Sequence, residues 1–257
     1  MRRRQSHKPP STASHLSPIG RSPKDTDDNA TDFLFVDTNG TPTGAGQRLG
    51  APGPENLSSP VQRNSTIKTS LIDPGCSGSG SVDGLGHPSG LQPNACARQR
   101  DTTSGSGSTS TFGTLSIRRK FTNTTGLSVT RLRFRIVDIT TFPAPSGTAD
   151  LRPITSATYT ANLVGGGTVQ VLGLTLEQPP SQLNGGGFNS SMSADTITLG
   201  TSLGAGNSIN IHFLLGVQQS GSYRFFINVE ALPNPGAGGP FIRKGSTKLT
   251  TPTPDKF

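Results

Sequence analysis

Residues 114–139, TLSIRRKFTNTTGLSVTRLRFRIVDI, decide the fold. TLSIRRKF places Leu115, Ile117, Arg119 and Phe121 on one side of an extended chain and Arg118 and Lys120 on the other. After the turn NTTG, TRLRFRIVDI sets Leu132, Phe134 and Ile136 against Arg131, Arg133 and Arg135. A repeat of two is the signature of a strand buried on one face. The same alternation returns in ATYTANL (Tyr159, Ala161, Leu163), in TVQVLGLTLE (Val169 and Val171, then Leu174 and Leu176 past Gly173) and in DTITL (Ile197, Leu199). It continues in SINIHFLLGV (Ile209, Ile211, Phe213, Leu215) and SYRFFINVEA (Tyr223, Phe225, Ile227, Val229). Seven or eight short strands with turn formers between them and no helical period predict an all-β, antiparallel Ig-like β-sandwich over residues 111–235.

Outward from that block the chain thins in apolar content. Only 30% of the 257 residues are hydrophobic, while Gly and Pro number 33 and 21. Burial at roughly 25 cal/mol per Å² cannot offset ordering entropy where apolar side chains are sparse, so the core is expected in one part of the chain. Residues 65–110 read as an extended arm with a Gly/Ser-rich loop, and 236–257 as a flexible tail. Within 25–64 only DFLFVDT, at 32–38, has strand character; STIKTSLID, at 65–73, is the other such run outside the main block.

The net charge of +8 is uneven. Residues 1–24 hold six bases and no acid, 25–105 five bases and nine acids, and 106–257 twelve bases and six acids. Much of the basicity is therefore a tail, which argues against nucleic acid as partner, since that needs a basic face on a folded module. The 1–24 segment lacks an apolar signal-peptide core, and its four prolines oppose a transit-peptide helix. It is expected to be a disordered tail or a non-native start. No apolar run is long enough for a transmembrane segment.

Candidate sites are few. DTDDNATDF, residues 25–33, begins like an EF-hand loop with Asp25, Asp27 and Asn29, but Ala30 stands where the sharp turn needs Gly and Val36 where a bidentate Glu is required. A looser Ca²⁺ site of Asp25, Asp27, Asp28 and Asp32 and an Asx-rich turn remain as the two readings. Apart from that Ca²⁺, no cofactor is expected. Arg118, Lys120, Arg131, Arg133 and Arg135 would share one surface if their two strands formed a hairpin. An anionic surface polysaccharide would then offset their repulsion, and so would Glu177, Asp138 or Glu230 on neighbouring strands. Cys76 and Cys96 either close a disulfide loop in an oxidising compartment or are two free thiols. His212, on an alternating strand, is expected on the polar face. The chain has no G-x-S-x-G, H-E-x-x-H or Walker motif, and an enzyme is not expected. A carbohydrate-binding accessory module is the alternative, with Phe142, Phe188 and Tyr159 as the aromatics on offer. N-x-[ST] triplets, at Asn29, Asn56, Asn64, Asn123 and Asn189 among others, are what chance gives in a chain this rich in Ser, Thr and Asn.

The run GTLSIRRKFTNTTGLSVTRLRFRIVDITTFPAPSGTADLRPIT, with LNGGGFNSSMSADTITLG and INIHFLLGVQQSGSYRFFINVEALP, resembles a C-terminal module of large secreted or surface proteins of environmental bacteria, a module with no assigned activity. DTDDNATDFLFVDTNGT with QRLGAPGPENLSSPVQRN is similar to the end of a lamin-tail-like domain in such proteins. The resemblance implies an extracellular or cell-surface location, neighbouring domains in a longer chain, and a non-enzymatic structural or adhesive role. It also implies that 25–64 is the remnant of an upstream domain and that the Cys loop, 74–98, is an insertion.

Overall fold

Alternation of apolar and polar side chains forces two sheets to close on each other. The computed structural model describes residues 36–38, 48–51, 66–76, 79–81, 95–141, 146–178, 183–194 and 199–233. The strands are β1 (Val36–Asp37), β2 (Arg48–Leu49), β3 (Ile67–Ser70), β4 (Ser79–Ser81), β5 (Arg98–Asp101), β6 (Thr114–Asn123) and β7 (Val129–Ile139). They continue as β8 (Asp150–Ile154), β9 (Tyr159–Asn162), β10 (Thr168–Val171), β11 (Leu174–Gln178), β12 (Ser191–Ala194), β13 (Ser208–Gln219) and β14 (Phe225–Pro233). The described residues contain no α-helix, only the short 3-10 turn Pro74–Cys76. The fold is an all-β sandwich, as the alternation predicts.

One sheet runs β11-β12-β7-β14 and the other β4-β5-β6-β13-β8, with β3 also paired to β6. Apart from the parallel pairs β1–β2 and β4–β5, these strands pair antiparallel. Between the sheets lie Leu132, Phe134 and Ile136 from β7, Phe121 from β6 and Ile211, Phe213 and Leu215 from β13. The rings of Phe121 and Phe213 sit 4.9 and 5.0 Å from that of Phe134, tilted or edge-on as ring quadrupoles prefer. A bulge opposite Phe226/Ile227 inserts Val137, so that Ile136 and Ile139 both point inward.

The sandwich is wider than residues 111–235. β3 and β5, from the stretch expected to be an extended arm, both pair with β6, and Leu49 and Ala51 are fully buried. β3 falls in STIKTSLID, the run with strand character at 65–73, whereas β5 escapes an apolar pattern because RQRD is short and polar on both sides. DLRPI and SMSA, also unforeseen, form β8 and β12. Pro153 is tolerated because β8 is an edge strand.

TVQVLGLTLE is not one strand. β10 pairs with β9 and β11 with β12, and the chain changes layer at Gly173, where a Cβ would meet the Ser156 carbonyl oxygen at 2.1 Å. The β9–β10 hairpin lies over the outer face of the six-stranded sheet. Its Ala161 and Val171 form a second small core with Ile72 and Ala95.

β3 and β5 lie end to end along the same edge of β6. Ile67 faces Asn123 and Arg98 faces Ile117, so six positions along β6 are matched by thirty-one residues of chain, leaving twenty-five as an excursion. A Cys76–Cys96 disulfide closes the neck of that excursion, where the Ala97 amide donates to the Cys76 carbonyl at 3.2 Å. The excursion coincides with the loop read as an insertion.

Candidate functional site

The five cations expected on one surface are divided by the fold. β6 and β7 are consecutive but do not pair: β6 lies between β13 on one edge and β3 and β5 on the other, and β7 between β12 and β14. The chain therefore crosses between sheets after Asn123, whose buried amide nitrogen donates to the carbonyls of Leu127 and Leu203. Arg118 and Lys120 face out from one sheet, and Arg131, Arg133 and Arg135 from the other.

Their environments differ as well. Arg135 is buried and donates through Nε to Glu230 Oε1 at 2.8 Å, and through Nη1 to Asn189. Arg133 pairs with Glu177 at 3.1 Å and Glu230 at 3.9 Å. These are the acids that the sequence offers as the alternative to an outside anion. Arg131 is exposed and Lys120 half-exposed.

Arg118 is 1% exposed, enclosed between β6 and the β9–β10 hairpin. Its guanidinium carbon lies 5.2 Å from the centre of the Tyr159 ring. Burial lowers its pKa and raises that of Tyr159 to about 12. His212, expected at the surface, is buried in the same layer, since the polar face on which alternation places it is covered by the hairpin. Its Nε2 is 3.0 Å from Ser116 Oγ and its Nδ1 3.5 Å from the Ala157 carbonyl. Burial, and then the charge of Arg118, push its pKa down to about 4. A serine beside a histidine backed by a carbonyl has the outline of a nucleophile and its base. Here the base is too weakly basic to take a proton at neutral pH, and the hairpin closes both groups from solvent. The layer acts as packing.

An accessible site lies on the open flank of the sandwich, where β14 ends one sheet and β3 and β5 lie along β6 in the other. A groove of about 530 Å³ runs between them. Its floor is Phe121 and Phe213, and β14 supplies Phe225, Ile227 and Val229 as one wall. Arg119 enters because it shares the inward side of β6 with Ile117 and Phe121, and Arg98 because it faces Ile117 across the ladder. Lys68 lies beside them, and no carboxylate is among the lining residues described. Arg119 Nη1 donates to the carbonyls of Ala97 and Arg118 at 2.9 and 2.7 Å, which fixes the guanidinium at the neck of the excursion. Burial and the charge of Arg98 together lower its pKa.

Arg98 escaped the sequence reading because RQRD alternates polar with polar residues. Its partner signal, that Gln99 and Asp101 are the buried pair, exists only in the fold. Asp25, Asp27, Asp28 and Asp32, and with them the Ca²⁺ reading, lie outside the described residues, as does Phe142. Among the described residues no three His, Cys, Asp or Glu side chains gather as metal ligands. No described helix is long and apolar enough to cross a membrane. Of the aromatics offered for carbohydrate, Tyr159 packs on Arg118 and His212, and Phe188 is half-buried beside Gly50.

The architecture defines the class as an all-β sandwich. The chain matches no protein-family model, no curated protein and no solved structure.

Proposed function

We propose that the chain is a non-catalytic structural or adhesive module of a secreted or cell-surface protein, and that it holds an anionic surface polymer. The observation that carries this reading is a surplus of positive charge left after internal pairing. The described residues contain twelve Lys and Arg against seven Asp and Glu, a surplus of five. The acids are largely engaged within the fold: Glu230 and Glu177 hold Arg135 and Arg133, Asp150 holds Arg152, and Asp138 holds Arg224. Asp73 and Asp101 accept backbone amides. Exposed Arg48, Arg98 and Arg131 therefore add to a positive field that attracts polyanions. The Cys76–Cys96 disulfide supports an oxidising location.

Retention on an immobilised acidic polysaccharide tests the reading. The wild-type chain is expected to be held at low salt and released as ionic strength rises, because exposed charges are screened. Arg131→Glu and Lys120→Glu lie on opposite outer faces, so the one that lowers the eluting salt identifies the face used. Retention unchanged in both, and in the double variant, would overturn the proposal.

A further inference from the structure

We infer that the open flank of the sandwich is a binding site for a single-chain anionic amphiphile, an acyl chain ending in a carboxylate or a similar anion. This goes beyond the polymer reading and rests on the groove, sharing only Arg98 with it. Small-molecule sites are typically concave, of roughly 300–1,000 Å³, mostly apolar, with a few convergent polar groups. The groove, at about 530 Å³, falls in that range and sets apolar and aromatic side chains beside cationic ones, its surface divided about evenly between polar and apolar atoms.

Its apolar wall is half-buried Phe225, Ile227 and Val229 over a floor of Phe121 and Phe213, which offers an alkyl chain continuous contact. Its charged groups converge. Arg98 and Arg119 are near enough for one to depress the pKa of the other, a like-charge approach that costs free energy in a partly dry site. A single anion between them removes that cost and gains charge-assisted hydrogen bonds. Two cations focused at one place fit one terminal anion better than the spaced acids of an extended peptide.

The test is calorimetric titration of the full chain with decanoate, decanol and acetate at fixed ionic strength. Decanoate is expected to bind at one site per chain, with decanol at least about tenfold weaker, the scale of a lost hydrogen bond to a charged group, and acetate silent. Arg98→Gln/Arg119→Gln should weaken decanoate by about tenfold or more while leaving decanol unchanged. A second variant, Ile227→Asn, should weaken both chains, and unaltered melting of each variant shows that the fold persists. Equal binding of decanoate and decanol, no saturable decanoate binding, or decanoate affinity indifferent to the double Arg variant would each overturn the inference. Binding to phosphatidylglycerol vesicles without a response to decanoate would also overturn it, in favour of a membrane surface. Polysaccharide retention is read separately, so either proposal can fail without the other.

Discussion

Protonating His212 places a second positive charge beside Arg118, in a layer closed to water on both sides. The groups that face its ring are Ser116 and Arg118 from β6 and Tyr159 from β9, with Tyr159 shifted up to about 12. The folded chain holds the imidazole neutral down to about pH 4, whereas an unfolded histidine titrates near its ordinary 6.5. Between those values the unfolded chain binds the extra proton, so stability is complete above about 6.5 and falls as pH drops toward 4. The loss approaches roughly 3 kcal/mol. Melting temperature measured from pH 7.5 to pH 4 should therefore show a decline that His212→Gln flattens, and parallel declines in the two proteins would refute this origin. Arg135 makes a second case at this scale. Arg135→Ala leaves Glu230 buried against a weakened set of partners and should cost about 3 kcal/mol in denaturant unfolding. A loss below about 1 kcal/mol, the range of a surface pair, would show that the pair is not closed from water. Glu230 was among the acids that the sequence offers to the arginines, whereas the burial of His212 was not legible there. SINIHFLLGV correctly alternates His212 to the polar side, but whether that side meets water depends on the β9–β10 hairpin, some fifty residues earlier in the chain.

At the scale of elements, the long strands were legible because their inner residues are large and apolar. Phe121, Phe134 and Phe213 announce β6, β7 and β13 and meet in the core. Short strands with an apolar side, such as β9, β10 and β11, were legible too; those without one were not, and β5 shows why. With Arg98 and Arg100 on one side and Gln99 and Asp101 on the other, its place in the sheet comes from backbone pairing with β6 and from the excursion that delivers it there. The hairpin on which the shared cationic surface depended does not form between β6 and β7 for a related reason: an NTTG turn permits a tight reversal, but each strand's edges are taken by partners remote in sequence. The disulfide at the neck spans twenty residues, a loop whose closure contributes about 3 kcal/mol. Cys76→Ser/Cys96→Ser, or reductant alone on the wild type, should lower stability by about that amount and by less than the global unfolding free energy. The β9–β10 hairpin should lose amide protection first, because Ile72 and Ala95, at the two ends of the tethered segment, complete its small core. Uniform loss of protection across both sheets would contradict this order.

For the whole molecule, the two sheets and the net positive surface follow from composition and period, whereas the groove does not. It arises where β14 and the β3–β5 line fail to meet, and no local pattern records a gap between strands more than a hundred residues apart. The same line gives the molecule a further property. β3 and β5 act as one strand that has been cut and rejoined, with a sulfur bridge across the cut and both halves anchored to β6. Such a joint is a splice point: the chain between β4, which pairs with β5, and Cys96 can change length and content while the register on either side is held. A foreign epitope grafted between Ser81 and Cys96 should thus be displayed in a closed loop, with the sheet beneath it, β4 included, unaltered.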